Sequence, residues 1–310
     1  MENTRAKTTR NSLILLLTAT IWGMAFVSQS KGMDYMHPFT FNGVRSLIGA
    51  AGILIYILLS RKIAGDKAAK LDWKLNVKAG LLCGIFLTIA STLQQFGIKY
   101  TSVGKAGFIT TLYIIFVPMF GIFLKKKVAP VVWAAAGMAA VGMYLLCMTE
   151  SLRLGAGDVM VFLCAIAFAI QIMTVDHYAA SIDGAVVSCI QFTVCGVVCC
   201  IGALIWGQPT FGQIQEGLGA LLYAGVLSCG VGYTLQIVGQ KGLNPTVAAL
   251  IMSLESVIAT ISGWIAYKIG FLSTDQTLTL RQIAGCVIVF AAVILVQLPP
   301  EWFRFGKKNA

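Results

Sequence analysis

Residues 12–29 read SLILLLTATIWGMAFVSQ, a stretch that contains no charged side chain. About 20 apolar residues in a helix cross the roughly 30 Å of hydrocarbon in a bilayer, so this stretch predicts a membrane-spanning helix. Nine more stretches of comparable length follow, at residues 38–60, 79–98, 104–124, 129–148, 157–175, 184–206, 214–238, 245–269 and 281–298. The sequence therefore predicts an all-α integral membrane protein with ten transmembrane helices.

The composition supports a membrane protein independently of these stretches. Apolar residues make up 58% of the 310 residues and charged residues 11%, and the mean hydropathy is +0.84. Soluble domains carry about 25% charged residues. Backbone groups inside a bilayer must be paired within the spanning structure, and the alternating pattern of a membrane β-barrel is absent because residues 287–296 are apolar throughout. Helices are therefore the expected spanning elements.

The last five spans repeat weak features of the first five. Gly97-x-Lys99 recurs as Gly239-x-Lys241, and Arg45 of the second span corresponds to Gln191 of the seventh. An odd number of spans in each copy forces the two copies into opposite membrane orientations. We therefore predict two five-helix inverted repeats around a central cavity, at residues 1–150 and 151–310, with a short cytoplasmic tail at the end of the second.

The distribution of basic residues predicts the orientation. With a cytoplasmic N-terminus, sixteen of the 23 Lys and Arg residues fall on the inner side and six on the outer side. Short cytoplasmic loops are enriched in Lys and Arg, so this bias predicts a multi-pass protein of the cytoplasmic membrane with both termini inside. The net charge of +11 then fits contact with anionic headgroups. We expect no nucleic-acid partner, because no nucleic-acid-binding module is recognisable.

Two charged residues lie inside predicted spans, Arg45 in the second and Glu255 in the ninth. A charge near the bilayer centre costs at least about 2.5–3.5 kcal/mol, so each needs a partner, a wet cavity or neutralisation. The two could pair, or face one substrate together. Arg45 offers a bidentate fork for a carboxylate or phosphate, although it could instead snorkel towards the outer headgroups. Glu255 is the candidate for proton coupling, with a structural hydrogen bond as the alternative.

Four further residues are candidates for substrate binding. Trp22, Tyr113 and Tyr233 lie well inside spans one, four and eight, away from the interfaces where such rings usually collect. They could stack on a substrate or simply pack in the core. Gln191 joins them because it occupies the position of Arg45 in the second repeat. Pro118, inside the fourth span, predicts a local distortion of that helix.

Several of these residues recur in one known family. The relevant positions are Trp22-Gly23, Arg45, Gly157-Asp158, Ala248-Ala249 and Leu254-Glu255. Their order resembles the drug/metabolite transporter superfamily, in its EamA-like branch. The resemblance implies ten helices in an inverted-repeat carrier fold, a central substrate cavity and traffic of small metabolites, often outward. Family members commonly continue the Leu-Glu pair with proline, whereas Ser256 and Val257 follow here, so the resemblance does not carry over a kink beside Glu255.

An enzyme is not expected. Gly155-Ala156-Gly157-Asp158 matches the G-x-G-D string of intramembrane aspartyl proteases, but no second aspartate lies well inside another span. Serine hydrolase, zinc hydrolase and P-loop motifs are missing from the sequence as well. We therefore expect neither a cofactor nor a metal site, and no direct use of ATP.

The function predicted from these patterns is secondary transport. The chain would move small organic metabolites or amino-acid-like solutes across the cytoplasmic membrane by alternating access, in the export direction. A multidrug exporter of lipophilic cations is one alternative, although an arginine in the cavity would repel cations. A membrane scaffold or sensor without transport is another. The partners are a small-molecule substrate and the lipid bilayer, and two complete repeats in one chain make a monomer sufficient.

Overall fold

The computed structural model describes residues 2–65, 71–124, 129–147, 155–273 and 277–297. Within these ranges, every regular element is helical. The α-helices are α1 Glu2–Gly32, α2 Pro38–Ala64, α3 Trp73–Ile98, α4 Val103–Thr111, α5 Tyr113–Phe123, α6 Pro130–Cys147, α7 Ala156–Tyr178, α8 Gly184–Gly202, α9 Phe211–Glu216, α10 Leu218–Leu222, α11 Tyr233–Gln240, α12 Pro245–Met252, α13 Leu254–Lys268 and α14 Leu280–Gln297. Two π-helical segments, Ala203–Gly207 and Tyr223–Gly232, continue α8 and precede α11.

Eight helical runs are long and apolar enough to cross a membrane: Lys7–Gly32, Pro38–Ala64, Trp73–Ile98, Val103–Phe123, Ala156–Tyr178, Gly184–Gly207, Leu218–Gln240 and Pro245–Lys268. Two shorter apolar stretches, Pro130–Gly142 and Leu280–Leu295, occupy the positions of predicted spans five and ten. Their helices, α6 and α14, have 18 residues each, which at 1.5 Å per residue gives about 27 Å, close to the thickness of the hydrocarbon. The prediction of an all-helical membrane protein is confirmed, and ten spans are compatible with these lengths.

The N-terminus of α2 is capped by the residue that precedes it. Pro38 occupies the first turn, and the Nδ1 atom of His37 accepts a hydrogen bond from the backbone N–H of Phe39 at 3.4 Å. Burial, together with the nearby positive charge of Lys99, lowers the pKa of His37. The neutral imidazole can then act as the acceptor that caps the helix.

The equivalent helices α2 and α8 run antiparallel against each other. Phe39, at the start of α2, packs on Gly202 at the end of α8. Ala50 lies further along α2, and its carbonyl oxygen accepts a hydrogen bond at 3.6 Å from the Sγ atom of Cys189, near the start of α8. Because the second helix of one repeat runs opposite to the second helix of the other, the repeats are inverted. The predicted boundary between residues 150 and 151 lies outside the described residues and stays a prediction.

The two repeats interlock along their helices. α3 packs along α7 and α8, α1 along α13, and α6 along α14. A Cβ atom on Gly80 of α3 would lie 2.6 Å from the Cβ atom of Ile190 in α8, so the absence of a side chain permits this approach. Helices in membranes commonly pack through such small residues. The core of the molecule therefore lies between the repeats.

Spans four and nine are interrupted within one residue of equivalent positions. α4 gives way to α5 at Leu112, and α12 gives way to α13 at Ser253. The N–H of Ile115 donates to the carbonyl of Leu112 at 2.9 Å, and the N–H of Ser256 donates to the carbonyl of Ser253 at 3.1 Å. Both are tight i to i+3 turns of the kind found at hinges. The break in span four lies six residues before Pro118, and the break in span nine forms without proline.

Candidate functional site

A buried cavity lies between the two repeats, next to both interruptions. Its polar lining consists of Gln29, Arg45, Gln94, Thr110, Gln171, Ser228, Gln236 and Glu255. Its aromatic lining consists of Trp22, Phe26, Tyr113, Phe168 and Tyr233. The cavity volume is about 30 Å³, and one water molecule needs roughly 10–15 Å³ by the same measure. In this conformation the cavity therefore has room for about two water molecules, and a metabolite would require its walls to separate.

Five of the six predicted site residues line this cavity, and the sixth does not. Arg45, Glu255, Trp22, Tyr113 and Tyr233 reach it from α2, α13, α1, α5 and α11. Their roles in binding remain predictions, although the structure brings the side chains together.

Gln191 lies one layer behind the cavity. Its side chain is fully buried, and its Oε1 atom accepts a hydrogen bond from Nε2 of Gln171 at 3.5 Å. Gln191 occupies the repeat position of Arg45, but its side chain is shorter and reaches Gln171 instead of the cavity. Gln191 therefore supports Gln171 in this conformation, and its contact with substrate stays a prediction.

Glu255 and Tyr113 form the polar centre of the cavity. The hydroxyl of Tyr113 donates to Oε1 of Glu255 at 3.0 Å, and both residues are almost completely buried. They are 142 residues apart, the same offset that relates Gly97 to Gly239, so they occupy equivalent positions in the two repeats. Each follows the interruption of its own span. Glu255 also lies in the first turn of α13, where the helix dipole favours a negative charge.

Arg45 is held in place by a hydrogen bond from one nitrogen of its guanidinium group. Its Nε atom donates to Oδ1 of Asn42 at 2.8 Å, and Nδ2 of Asn42 donates in turn to the carbonyl of Ser91 at 2.9 Å. The guanidinium carbon lies 5.4 Å from the ring centroid of Phe41. The side chain is only 5% exposed, so it does not snorkel to the surface. Its two Nη groups make no hydrogen bond to a described residue.

Arg45 and Glu255 face the same cavity without pairing. The ion pairs among the described residues join Lys31 to Asp34 and Lys105 to Asp158. A buried charge without a counter-ion carries a desolvation cost that a bound group of opposite charge would reduce. The two residues thus do not pair in this conformation, and their joint contact with one substrate stays a prediction.

The aromatic wall is a cluster of rings in tilted and edge-on contact. The rings of Trp22 and Tyr233 lie 4.5 Å apart between centroids at an interplanar angle of 50°. Phe192 meets the other side of Tyr233 edge-on at 5.0 Å. The Nε1 atom of Trp22 donates to the carbonyl of Ser228 in the second π-helical segment at 3.4 Å. This hydrogen bond holds the indole ring against the cavity.

Two glutamines of the cavity wall were not among the residues predicted from the sequence. Gln94 and Gln236 both line the cavity and are 142 residues apart, as Tyr113 and Glu255 are. Gln94 donates to Thr110 at 3.2 Å, and Gln236 donates to Gln171 at 3.2 Å. The shared offset of these two glutamines was a signal that could have identified them. Phe168 and Ser228 carry no such signal.

The G-x-G-D motif has a structural role at the start of α7. Asp158 accepts hydrogen bonds from Nζ of Lys105 at 2.6 Å, from Oγ1 of Thr101 at 2.9 Å and from the N–H of Gly155 at 2.8 Å. These contacts cap α7 and join it to the start of α4. Asp158 does not line the central cavity, which agrees with the exclusion of a protease.

Two inverted helical repeats around a buried polar cavity are the architecture of a membrane transporter. The profile of the EamA-like transporter family matches residues 10–148 and 155–298 in tandem. The chain therefore belongs to the EamA-like transporter family, and it is a transporter and not an enzyme.

Relatives agree with this assignment. An uncharacterized transporter of Archaeoglobus fulgidus is 27% identical over 290 residues, which cover 92% of this chain and 84% of the relative. An uncharacterized transporter of Clostridium kluyveri is 23% identical over 299 residues, which cover 91% of each chain. A solved crystal structure with 16% sequence identity covers 96% of this chain and 99% of its own, with a TM-score of 0.73, and so shares the fold.

Proposed function

We propose that this protein is a secondary transporter of small organic metabolites or amino-acid-like solutes, that it works by alternating access, and that it exports them. The observation that carries the proposal is that Arg45 and Glu255 line one buried cavity between inverted repeats without pairing to each other. An arginine and a carboxyl group that face one space without pairing could each bind a complementary group of one solute once the cavity walls separate.

The chemistry of the cavity favours a solute with a carboxylate and an amine. The Nη groups of Arg45 present a planar fork that suits a carboxylate. Glu255 can accept a hydrogen bond from an ammonium group in place of the one from Tyr113. The adjoining rings of Trp22 and Tyr233 supply an aromatic wall for the rest of the molecule. An amino-acid-like solute would use all three features.

The interrupted spans support a mechanism in which the cavity opens alternately to each side. The breaks at Leu112 and Ser253 lie in equivalent helices of the two repeats, and a side chain just beyond each of them faces the cavity. Discontinuous helices at the midplane are typical of secondary transporters. A solute that replaces the hydrogen bond between Tyr113 and Glu255 would contact the residues that follow both interruptions, and so could change the conformation of both spans together.

Glu255 is the proposed site of proton coupling. A carboxyl group in the membrane interior can exchange protons between the two open states, and protonation would remove the charge that attracts an amine. Binding of a proton and of the amine at Glu255 would therefore compete. This competition would couple outward movement of the solute to inward movement of protons.

Export of lipophilic cations is the second candidate function. An aromatic cavity with one buried carboxylate suits such cations, and Trp22, Tyr233 and Glu255 meet that description. Arg45 in the same cavity opposes it by charge repulsion. A non-transporting scaffold or sensor would need no such cavity.

We also propose that the protein resides in the cytoplasmic membrane with both termini inside, on the strength of its basic loops. One chain contains both repeats and the complete cavity lining, so a monomer would suffice for transport.

A ligand screen followed by flux measurements tests the proposal. Purified protein is heated with amino acids, nucleosides, sugars, organic phosphates or lipophilic cations, since a ligand at 100 times its Kd stabilises the folded state by about 2.7 kcal/mol. Each hit is then assayed for saturable uptake in proteoliposomes. We expect amino-acid-like hits whose binding is lost in Arg45→Ala. Hits confined to cations, which persist in Arg45→Ala, would favour the second function, and the absence of saturable uptake would favour a scaffold.

A further inference from the structure

A second cavity opens on the surface of the helix bundle, in the groove between α1 and α13. Its volume is about 400 Å³, far larger than that of the central cavity. Its lining is almost entirely apolar and includes Met24 of α1 and Ile258, Ile261 and Ile265 of α13. Ile261 and Ile265 are 40% and 47% exposed although both helices belong to membrane spans. The groove therefore opens onto the bilayer hydrocarbon.

Two lysines mark one end of this groove. The Nζ atom of Lys31, at the end of α1, lies 5.8 Å from the ring centroid of Phe271, which lines the groove. Lys268 follows Ile265 by three residues and Ile261 by seven, so helical spacing places it on the same face of α13. The groove thus runs from an apolar interior to a basic end where the two helices finish.

The basic end carries a surplus positive charge. Lys31 pairs with Asp34 at 3.0 Å, and the side chain of Asp34 is 55% exposed, so this pair is weak. Lys268 forms no ion pair with a described residue and is exposed to solvent. Both lysines lie in the last turns of their helices, where the helix dipole favours cations, and their ammonium groups remain available to an external anion.

We propose that this groove binds one acyl chain of a phospholipid with an anionic headgroup, whose phosphate lies between Lys31 and Lys268. Acyl chains surround these helices, and a groove between two helices offers a chain more packing contact than a single helix surface does. An ammonium group at the membrane surface attracts a headgroup with a net negative charge more than a zwitterionic one, which gives the site its headgroup preference. The inference does not rest on the proposed transport function.

The groove and the central cavity lie on opposite sides of α1. Met24 lines the groove, whereas Ala25 and Gln29 line the cavity. A bound acyl chain would therefore pack against a helix that forms part of the cavity wall.

Native mass spectrometry of the purified full-length protein tests the apolar part of the site. The protein is incubated with phosphatidylglycerol or phosphatidylethanolamine in detergent, and retained lipid is counted. Ile261→Trp fills the groove, and Val198→Trp, on the exposed face of α8, adds the same bulk at a lipid-facing position outside it. We expect one retained phosphatidylglycerol in the wild type and in Val198→Trp, and loss of that lipid in Ile261→Trp. Equal retention in all three proteins would overturn the site and indicate general lipid contact only.

A second pair of variants tests whether the basic end of the groove selects the lipid headgroup. Both change exposed lysines. Lys268→Gln removes the unpaired charge at the groove, and Lys78→Gln removes an exposed charge near the start of α3. We expect the preference for phosphatidylglycerol over phosphatidylethanolamine to fall about fivefold in Lys268→Gln and to stay unchanged in Lys78→Gln. An unchanged preference in both variants would refute the role of the basic end. Because only binding is measured, a failure here is distinct from a failure of the transport proposal.

Discussion

Glu255 is a carboxyl group held in the membrane interior by a single described hydrogen bond, the one from Tyr113. Such a group is costly to insert, and it persists in transporters because it exchanges protons or binds cations. Its equivalent in the first repeat is the phenol of Tyr113 itself. The equivalent positions of the two repeats therefore carry different chemical groups, a phenol and a carboxyl. This difference makes the centre of the cavity asymmetric.

Replacing Glu255 with Gln tests proton coupling directly. The amide keeps the size of the side chain and can still accept from Tyr113, but it does not titrate. We expect transport driven by a pH gradient to fall to the level supported by the solute gradient alone, while solute exchange across proteoliposomes continues. Glu216→Gln, at an exposed carboxyl at the end of α9, is the matched control and should leave coupling intact. Unchanged coupling in Glu255→Gln would exclude this carboxyl as the proton site.

Asp158 provides a prediction about stability. Asp158→Asn removes the buried anion that pairs with Lys105, and the lysine is left in a largely buried site. We expect a loss of about 1–3 kcal/mol in the free energy of unfolding, reduced from the usual cost because Lys105 is partly exposed. Asp34→Asn breaks the exposed pair with Lys31 and should cost less than about 1 kcal/mol. Thermal unfolding of both variants in detergent measures the difference, and equal losses would contradict this reading of Asp158.

The site residues that sequence analysis found are those that a bilayer would otherwise exclude. Arg45 and Glu255 stand out because each is a charge within an apolar stretch. Phe168 and Ser228 also line the cavity, but a phenylalanine or serine is ordinary in a membrane helix. Gln191 was included on the basis of repeat symmetry, yet two equivalent positions need not project side chains of equal reach. Charged residues within apolar stretches can thus be identified from the sequence, whereas which other side chains line the cavity depends on how the helices pack.

The helices themselves were only partly predictable. The spans could be predicted because the hydrophobicity of a stretch is a sum over its residues and needs no knowledge of tertiary contacts. The interruptions at Leu112 and Ser253 have no proline or glycine at the break, and they arise from two tight turns within otherwise regular helices. The ten-residue π-helical segment Tyr223–Gly232 contains three glycines, but the sequence analysis did not predict it. Backbone irregularities of this kind depend on contacts between helices, which no single helix sequence specifies.

The contact between α1 and α13 gives a prediction about helix packing. A Cβ atom on Gly23 would lie 2.6 Å from the Cβ of Ile258 and 2.7 Å from the carbonyl oxygen of Glu255. Gly23→Ala therefore forces the two helices apart, and we expect a loss of about 1–3 kcal/mol. A Cβ on Gly52, in α2, would contact nothing within 4 Å, so Gly52→Ala should be neutral or slightly stabilising. Thermal stability in detergent compares the two alanines, and equal behaviour would mean that the contact can relax.

The whole molecule is organised by the inversion of its repeats. The antiparallel contact of α2 with α8 relates equivalent helices, and the hydrogen bond between Tyr113 and Glu255 relates equivalent side chains. Both lie where the two repeats meet. An inverted pair can present one cavity to opposite sides of the membrane by exchanging the conformations of its halves. The same symmetry requires each repeat to cross the membrane an odd number of times.

That requirement depends on the two shortest predicted spans, α6 and α14, and gives a testable topology. If α6 crosses, an epitope tag inserted after residue 126 lies inside the cell and a tag after residue 152 lies outside, while tags at both termini lie inside. Accessibility to antibody in intact and permeabilised cells measures all four positions. If α6 did not cross, the tags after residues 126 and 152 would lie on the same side. Every later span would then be reversed, and the C-terminal tag would lie outside if α14 crosses and inside if it does not. In either case the repeats would have the same orientation, which is incompatible with the antiparallel contact of α2 and α8.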